Sequence, residues 1–272
     1  MKIYWQSFVS QLNGASYLAR LQEYLKALAA AGTEVEVFGM DPPDRDFGRL
    51  SELRCGIQAI DAGLRAEEAG YDAFVMGHFQ DPGLYELRSA LRIPAIGAGE
   101  ATLLAATTLG RGIGLITLDP AFKAWHFEQA ALYGISGRVT HVTGLGVTPE
   151  DFDQAFAGDD KKRDELLTIL TETAMPMVDS GAEVIVPAGV LPGLLIAGEK
   201  GFRVGRAPVL SCTAVALKSA EMWGQLHACS GIEPSRGPSF ALATDQSKSD
   251  FRTLVAKGAG ALLVNPESQV RN

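Results

Sequence analysis

Gly70-Tyr71-Asp72-Ala73-Phe74-Val75-Met76-Gly77-His78 and Gly181-Ala182-Glu183-Val184-Ile185-Val186-Pro187-Ala188-Gly189 follow one pattern, 111 positions apart. Each opens on a glycine that ends a helix-periodic segment, passes an acidic residue, and continues as an unbroken apolar strand. A strand without polar alternation is buried on both faces, as in parallel sheets covered by helices. The same offset lays Lys2–Ser7 on Ile113–Leu118 and pairs Gln6 with Thr117. A slightly larger one lays Ile93-Pro94-Ala95-Ile96 on Ala207-Pro208-Val209-Leu210. Three segments repeating in one order read as a duplicated βα framework. The blander alternative, that βα units resemble one another in any α/β protein, stays open at this level.

Outward from these stretches, strand and helix patterns alternate. Ile3–Phe8, Glu34–Phe38, Ala73–Met76, Ile93–Ile96, Ile113–Leu118, Val139–Thr143, Glu183–Val186 and Val209–Ser211 read as strands. Ser16–Ala31, Leu50–Ala69, Gly83–Leu91, Glu100–Leu109, Ala121–Tyr133, Asp160–Ser180, Leu194–Glu199 and Thr213–Gly224 carry helical spacing. In the tail, Ala241–Asp245 and Ala261–Val264 read as strands around a helix near Ser249–Lys257. Alternation of this kind builds βαβ units. The expected fold class is α/β, with two pseudo-symmetric Rossmann-like lobes, parallel sheets and a ligand cleft between them. Residues 1–97 plus 213–272 form the first lobe and 98–212 the second.

The composition is that of a globular chain, 47% hydrophobic and 21% charged, with a formal net charge of −8. An acidic surface repels phosphate backbones, so no nucleic-acid partner is expected. No apolar run approaches the ~18 residues of a spanning helix, and no basic helix marks a membrane surface. The N-terminus lacks the features of a signal peptide, so the expected location is cytoplasmic. Three irregularly spaced cysteines, Cys55, Cys212 and Cys229, give no disulfide framework. The four histidines, His78, His126, His141 and His227, form no metal-binding spacing, and no metal site is expected.

A duplicated α/β fold binds its ligand at the carboxyl ends of the strands, where the halves face each other. That nominates the loops at Gln6–Ser7, Gly77–Gln80, Thr117–Asp119 and Pro187–Gly189, beside helix N-termini suited to an anion. His78 ends a buried strand, and an imidazole titrates near neutrality. It reads as an acid/base group or as a histidine satisfying a buried acceptor. Its counterpart in the repeat is Gly189, which leaves room for substrate or marks a tight turn. Gln6, Ser7 and Thr117 are candidate binders of carboxylate oxygens, or helix caps. Phe79, Gln80 and Ala188 flank the same loops and join the binding set. Glu100 is a candidate second acid/base group, or a carboxylate favoured by a helix dipole. Cys212 is a candidate thiol at a strand end or a buried structural one, and His126 a candidate cover for the pocket. Gly97-Ala98-Gly99 has the look of a dinucleotide fingerprint, but Thr102 replaces its third glycine and no phosphate loop is present. No cofactor is expected.

Tyr71–Leu84 resembles the stretch around the first catalytic cysteine of hydantoin racemases. Ile93–Ala101 is similar to the segment that follows it, Gly181–Gly189 to the strand leading to the second cysteine, and Pro208–Glu221 to a later strand and helix. The chain is thereby identified, over roughly residues 1–225, as similar to the aspartate/glutamate/hydantoin racemase superfamily. The resemblance implies a cofactor-independent enzyme that moves a proton at a carbon next to a carboxylate or carbonyl of a small acid or cyclic amide. It also implies a homo-oligomer. Racemases of this kind use two thiols, whereas decarboxylases of the group keep one. Here His78 and Gly189 stand at the two thiol positions, so an isomerase, a lyase of decarboxylase type and a non-catalytic binding module all remain open.

Overall fold

The computed structural model describes residues 1–45 and 47–261, with side chains described to residue 257. The chain runs β1 (Lys2–Ser7), α1 (Ala15–Leu28), β2 (Glu34–Phe38), α2 (Arg49–Glu68), β3 (Ala73–Gly77), α3 (Leu84–Ala90), β4 (Ala95–Gly97) and α4 (Ala98–Leu109). A second series follows: β5 (Ile113–Thr117), α5 (Phe122–Leu132), β6 (Val139–Gly144), α6 (Pro149–Phe156), α7 (Asp160–Asp179), β7 (Val184–Ala188) and α8 (Val190–Leu195). The hairpin of β8 (Arg203–Val204) and β9 (Ala207–Pro208) precedes α9 (Cys212–Ser230) and α10 (Asp245–Ala261).

The strands form two parallel sheets, β2-β1-β3-β4 and β6-β5-β7. Their registers repeat. Phe74 pairs with Ala95 in the first sheet, and Ile185 bridges Val209 at the matching place in the second. The fourth strand of the second sheet is thus reduced to a single bridge. The expected strand at Val209–Ser211 shrinks to that contact because Ala207 and Pro208 pair backwards with Val204 and Arg203. The register also corrects one pairing: Ser7 lies opposite Gly77 and Thr117 opposite Ala188. Ser7, rather than Gln6, is therefore the counterpart of Thr117.

Alternate strand residues feed opposite helical layers, as a pleat demands. Phe74 and Met76 pack with Cys55, Ala59 and Leu87 of α2 and α3. Ala73 and Val75 enter a central core that runs into the second sheet through Leu115, Val184 and Val186. This core is closed by a reciprocal crossing. Helix α4 follows the first sheet but packs on β7, while α9 follows the second and packs on β3 and β4. The two helices also lie against each other. Small buried residues, Ala98 and Ala106 on one and Ala216 and Ala220 on the other, suit close approach.

The remaining differences from the sequence reading are local. Helix α6, which the sequence reading does not include, buries Phe152 and Ala155; Pro149 opens it, and the Thr148 N–H donates to Asp151 Oδ2 at 2.9 Å. The expected helix at Leu194–Glu199 begins earlier, as α8, and ends in a 3-10 turn at Ile196–Gly198. No strand forms at Ala241–Asp245; Asp245 already starts α10, which packs on α2. Ala261 is helical, and 262–264 of the other expected tail strand lie outside the described residues. Among the described residues, no helix is long and apolar enough to cross a membrane.

Candidate active site

The carboxyl ends of β1, β3 and β7 open on a cavity of about 270 Å3. His78, the first residue past β3, lies on one side of it. Phe8, just past β1, stacks on the imidazole with ring centroids 4.5 Å apart and planes 9° from parallel. Glu52, in the first turn of α2, reaches across the sequence to place Oε1 2.7 Å from His78 Nε2. Asp44, between β2 and α2, is fixed by its N–H donating to the Phe8 carbonyl at 3.1 Å and by the Ser51 hydroxyl donating to Oδ1 at 2.6 Å.

The electrostatics follow from this grouping. Burial works against a charged imidazole, but the Glu52 carboxylate, with Asp44 and Asp81 behind it, outweighs burial and holds the His78 pKa above its ordinary value. Burial likewise raises Glu52, yet His78 outweighs it and keeps Glu52 below the usual range. Both shifts favour the imidazolium–carboxylate form of the pair. Glu52 Oε2 and Asp44 Oδ2 are buried without a partner. Asp44, Glu52 and His78 offer ligand atoms within 4.8 Å of one another, a spacing that admits a cation, although the sequence spacing pointed to no metal. The direct His78–Glu52 contact already satisfies both facing atoms.

The loop that carries His78 is clamped from below. Asp81, at φ 53°, accepts from the Gly99 N–H at 3.1 Å, the Glu100 N–H at 2.6 Å and the Tyr133 hydroxyl at 2.8 Å. Its carboxyl therefore occupies the N-terminus of α4, and burial pushes its pKa up to about 7. The Gly97-Ala98-Gly99 motif is explained by this seat. A Cβ on Gly99 would lie 1.9 Å from the Phe79 carbonyl oxygen, and one on Gly97 2.6 Å from Asp81 Cγ. The glycines admit the His78–Asp81 loop, and the helix end that a dinucleotide would use is filled by Asp81.

The facing wall comes from β7 and α8, through Ala188, Gly189 and Val190. Gly189 presents no side chain opposite His78. Tyr17 of α1 completes this side, its hydroxyl 3.4 Å from the donating Ser7 hydroxyl, and burial raises its pKa. Phe47, Leu118, Phe122 and Pro149 make the rest of the lining mostly apolar, and none of the described lining residues is Lys or Arg.

Of the residues nominated from sequence, His78, Ser7, Phe79, Gln80, Ala188 and Gly189 line this cavity. Five others do not. The Gln6 amide donates to the Ser7 and Gly39 carbonyls, both at 2.9 Å, and ties β1 to the end of β2. Thr117 is fully buried at the end of β5, its hydroxyl without a partner. Glu100 is held by the Arg88 guanidinium in a two-pronged ion pair. His126 is fully buried edge-on behind Phe79, bonded to Gln129, and burial lowers its pKa to about 4. The Cys212 thiol is fully buried, donates to the Gly189 carbonyl at 3.3 Å, and is pushed up to about 12 by burial. It props the glycine corner rather than facing the cavity. Sequence reasoning missed Glu52, Asp44 and Tyr17. Glu52 carried one usable signal, a charge on the buried side of an otherwise apolar helical stripe.

The comparisons with known proteins agree with this architecture. A curated hydantoin racemase from Rhizobium meliloti is 28% identical over 174 residues, which are 64% of this chain and 65% of that protein. The match thus spans just under two thirds of that relative's length. Allantoin racemase from Klebsiella pneumoniae superposes with a TM-score of 0.73 at 21% identity, covering 90% of this chain and 94% of its own. A liganded arylmalonate decarboxylase mutant, with one glycine changed to cysteine and one cysteine to serine, superposes with a TM-score of 0.57 at 16% identity, covering 90% and 99%. The Asp/Glu/Hydantoin racemase family model matches residues 12–220, which include His78, Gly189 and Cys212. Two registered parallel sheets, a cleft at their carboxyl ends and that match together place the chain in the Asp/Glu/hydantoin racemase family.

Proposed function

We propose that the cleft is the active site of a cofactor-independent enzyme that moves a proton at a carbon next to a carbonyl or carboxylate, with His78 as its acid/base group. The observation that carries this reading is the His78–Glu52 pair under Phe8, facing a cavity whose opposite wall is Gly189. Membership of a racemase family favours isomerisation. His78 takes the proton, the electron pair moves onto the carbonyl oxygen, and the proton returns to the carbon. General acid–base help of this kind is worth about 10²–10⁴-fold.

The walls favour a substrate with one polar head and one apolar group. A cyclic amide fits, as does a small acid whose carboxylate meets the imidazolium, because Asp44 and Asp153 at the same cavity repel a second negative charge. A lyase of decarboxylase type is the second reading. The raised pKa of His78 keeps a proton ready to quench the carbanion that loss of CO2 leaves, and only one donor is needed. We also propose that 1–97 with 213–272 and 98–212 are the two lobes, and that the enzyme is a homo-oligomer. His78→Ala is expected to retain ligand binding and lose at least about 100-fold in turnover of a 5-substituted hydantoin or an arylmalonate. Full activity in that variant overturns the assignment. Ligand binding by the unaltered protein without turnover or deuterium uptake favours a binding module.

A further inference from the structure

Glu52 lies between two cavities. It is absent from the lining of the one that holds His78, but it lines a second, of about 380 Å3, with Arg49, Pro82, Trp125 and Glu128. Gln80 borders both, so the segment from His78 to Pro82 is the partition. The Glu52 residue as a whole is 7% exposed and lines the second cavity, while its Oε2 atom is itself buried. Oε1 meets His78 Nε2, while Oε2 has no protein partner. The other imidazole nitrogen, Nδ1, has no hydrogen-bond partner among the described residues and is left for the substrate side. A bound substrate with an apolar group covers that side and excludes water from it.

We propose that Glu52 is a positioning residue that also serves as the proton outlet of the site, connecting His78 to solvent in the second cavity while substrate fills the first. This rests on the reading of the cleft as a proton-transfer site. In the isomerase direction the acceptor is the neutral ring with its proton on Nε2: the substrate C–H bond breaks, its electrons move onto the carbonyl oxygen, and the proton joins Nδ1. The Nε2 proton passes to Glu52 Oε1, the carboxyl turns toward the second cavity, and water there takes one proton from it, which restores the carboxylate. The return path runs the same steps backwards with a solvent proton. The groups that face His78 are Glu52 on α2, Asp44 before it, Asp81 on its own loop and His126 on α5. Of these, Glu52 alone combines contact with Nε2 and a place on the second cavity.

The test measures wash-in of deuterium from D2O at the reacting carbon of 5-benzylhydantoin, against turnover, in the unaltered protein, Glu52→Gln and Glu52→Asp. Glutamine keeps a hydrogen-bond acceptor for Nε2 but cannot carry the proton. The expected result is wash-in that matches turnover in the unaltered protein, a ratio at least about tenfold lower in Glu52→Gln because the original proton returns internally, and partial recovery in Glu52→Asp. A His78 NMR titration on each protein reports whether the ring keeps its place. An unchanged ratio in Glu52→Gln, with the ring in place, overturns the outlet and leaves the active-site reading intact. Loss of wash-in on chelation with EDTA and its return with added zinc overturns the outlet in favour of a cation at Asp44, Glu52 and His78. Neither wash-in nor turnover in the unaltered protein, with phenylmalonate equally inert, overturns the active-site reading and the outlet with it.

Discussion

Phe8 lies face to face on the His78 imidazole, centroids 4.5 Å apart, so one side of the ring is sealed by an aromatic surface and its edge alone meets Glu52. A cation over an aromatic face is stabilised by about 0.5–2 kcal/mol. Phe8→Leu keeps apolar cover but loses that face. The variant is expected to titrate His78 at lower pH, by up to about one unit. An NMR titration of the imidazole checks this. An unmoved midpoint contradicts it.

The ion pair also predicts how stability varies with pH. The His78 pKa is raised on folding, so its contribution is complete below about 6.5 and is lost as pH rises through the folded-state value. The Glu52 pKa is lowered, so its contribution is present above about 4.3 and is lost as pH falls through its folded-state value. The two overlap fully between those limits. Glu52→Gln is therefore expected to cost most near pH 5.5, on the order of 3–5 kcal/mol, with a smaller gap at pH 9. Urea denaturation of both proteins at the two pH values measures it.

The thiols give an independent check on the cleft. Cys55 and Cys212 are buried, and burial pushes both up to about 12, whereas Cys229 is exposed. Thiolate is the reactive form. The native protein is expected to react with a disulfide reagent at Cys229 alone, with all three cysteines reacting after denaturation. Turnover is expected to survive the native modification. Fast labelling of Cys212 in the folded protein contradicts its placement behind Gly189.

Much of this architecture is legible in the chain. The uninterrupted apolar runs at 73–76 and 184–186 announce buried parallel strands, and their common spacing announces the repeated register. His78 and Gly189 could be placed at the cleft because each directly follows such a strand. Residues whose roles depend on distant partners were not legible. Glu52 acts on a histidine 26 positions away, and nothing near it in the sequence names that partner. Glu100 follows a strand as a site residue does, but Arg88 claims it through folding of an intervening turn. The Gly97-Ala98-Gly99 motif reads as a phosphate seat until Asp81 is found occupying it.

Gly189 is where a second acid/base group would stand. Its φ of 167° is extended backbone that any residue adopts, and an added Cβ would approach Pro192 Cδ at 3.2 Å, close enough to require a small shift of that ring. Gly189→Cys is expected to fold at a cost of about 1 kcal/mol. Combined with His78→Cys, it is expected to racemise a 5-substituted hydantoin from either enantiomer at similar rates, followed by polarimetry. A double variant that folds and binds but stays one-sided contradicts the facing arrangement of the two positions.

The crossing of α4 and α9 governs how this chain must come together. Each sheet borrows its inner covering from sequence that belongs to the other series. A nascent chain released only as far as residue 200 displays the inward side of β3 bare of the helix it packs on, since that helix begins at Cys212. Neither half buries the inner face of its sheet without a helix from the other, so the two halves depend on each other for their cores. The same interlock ties the two halves together through α4 and α9.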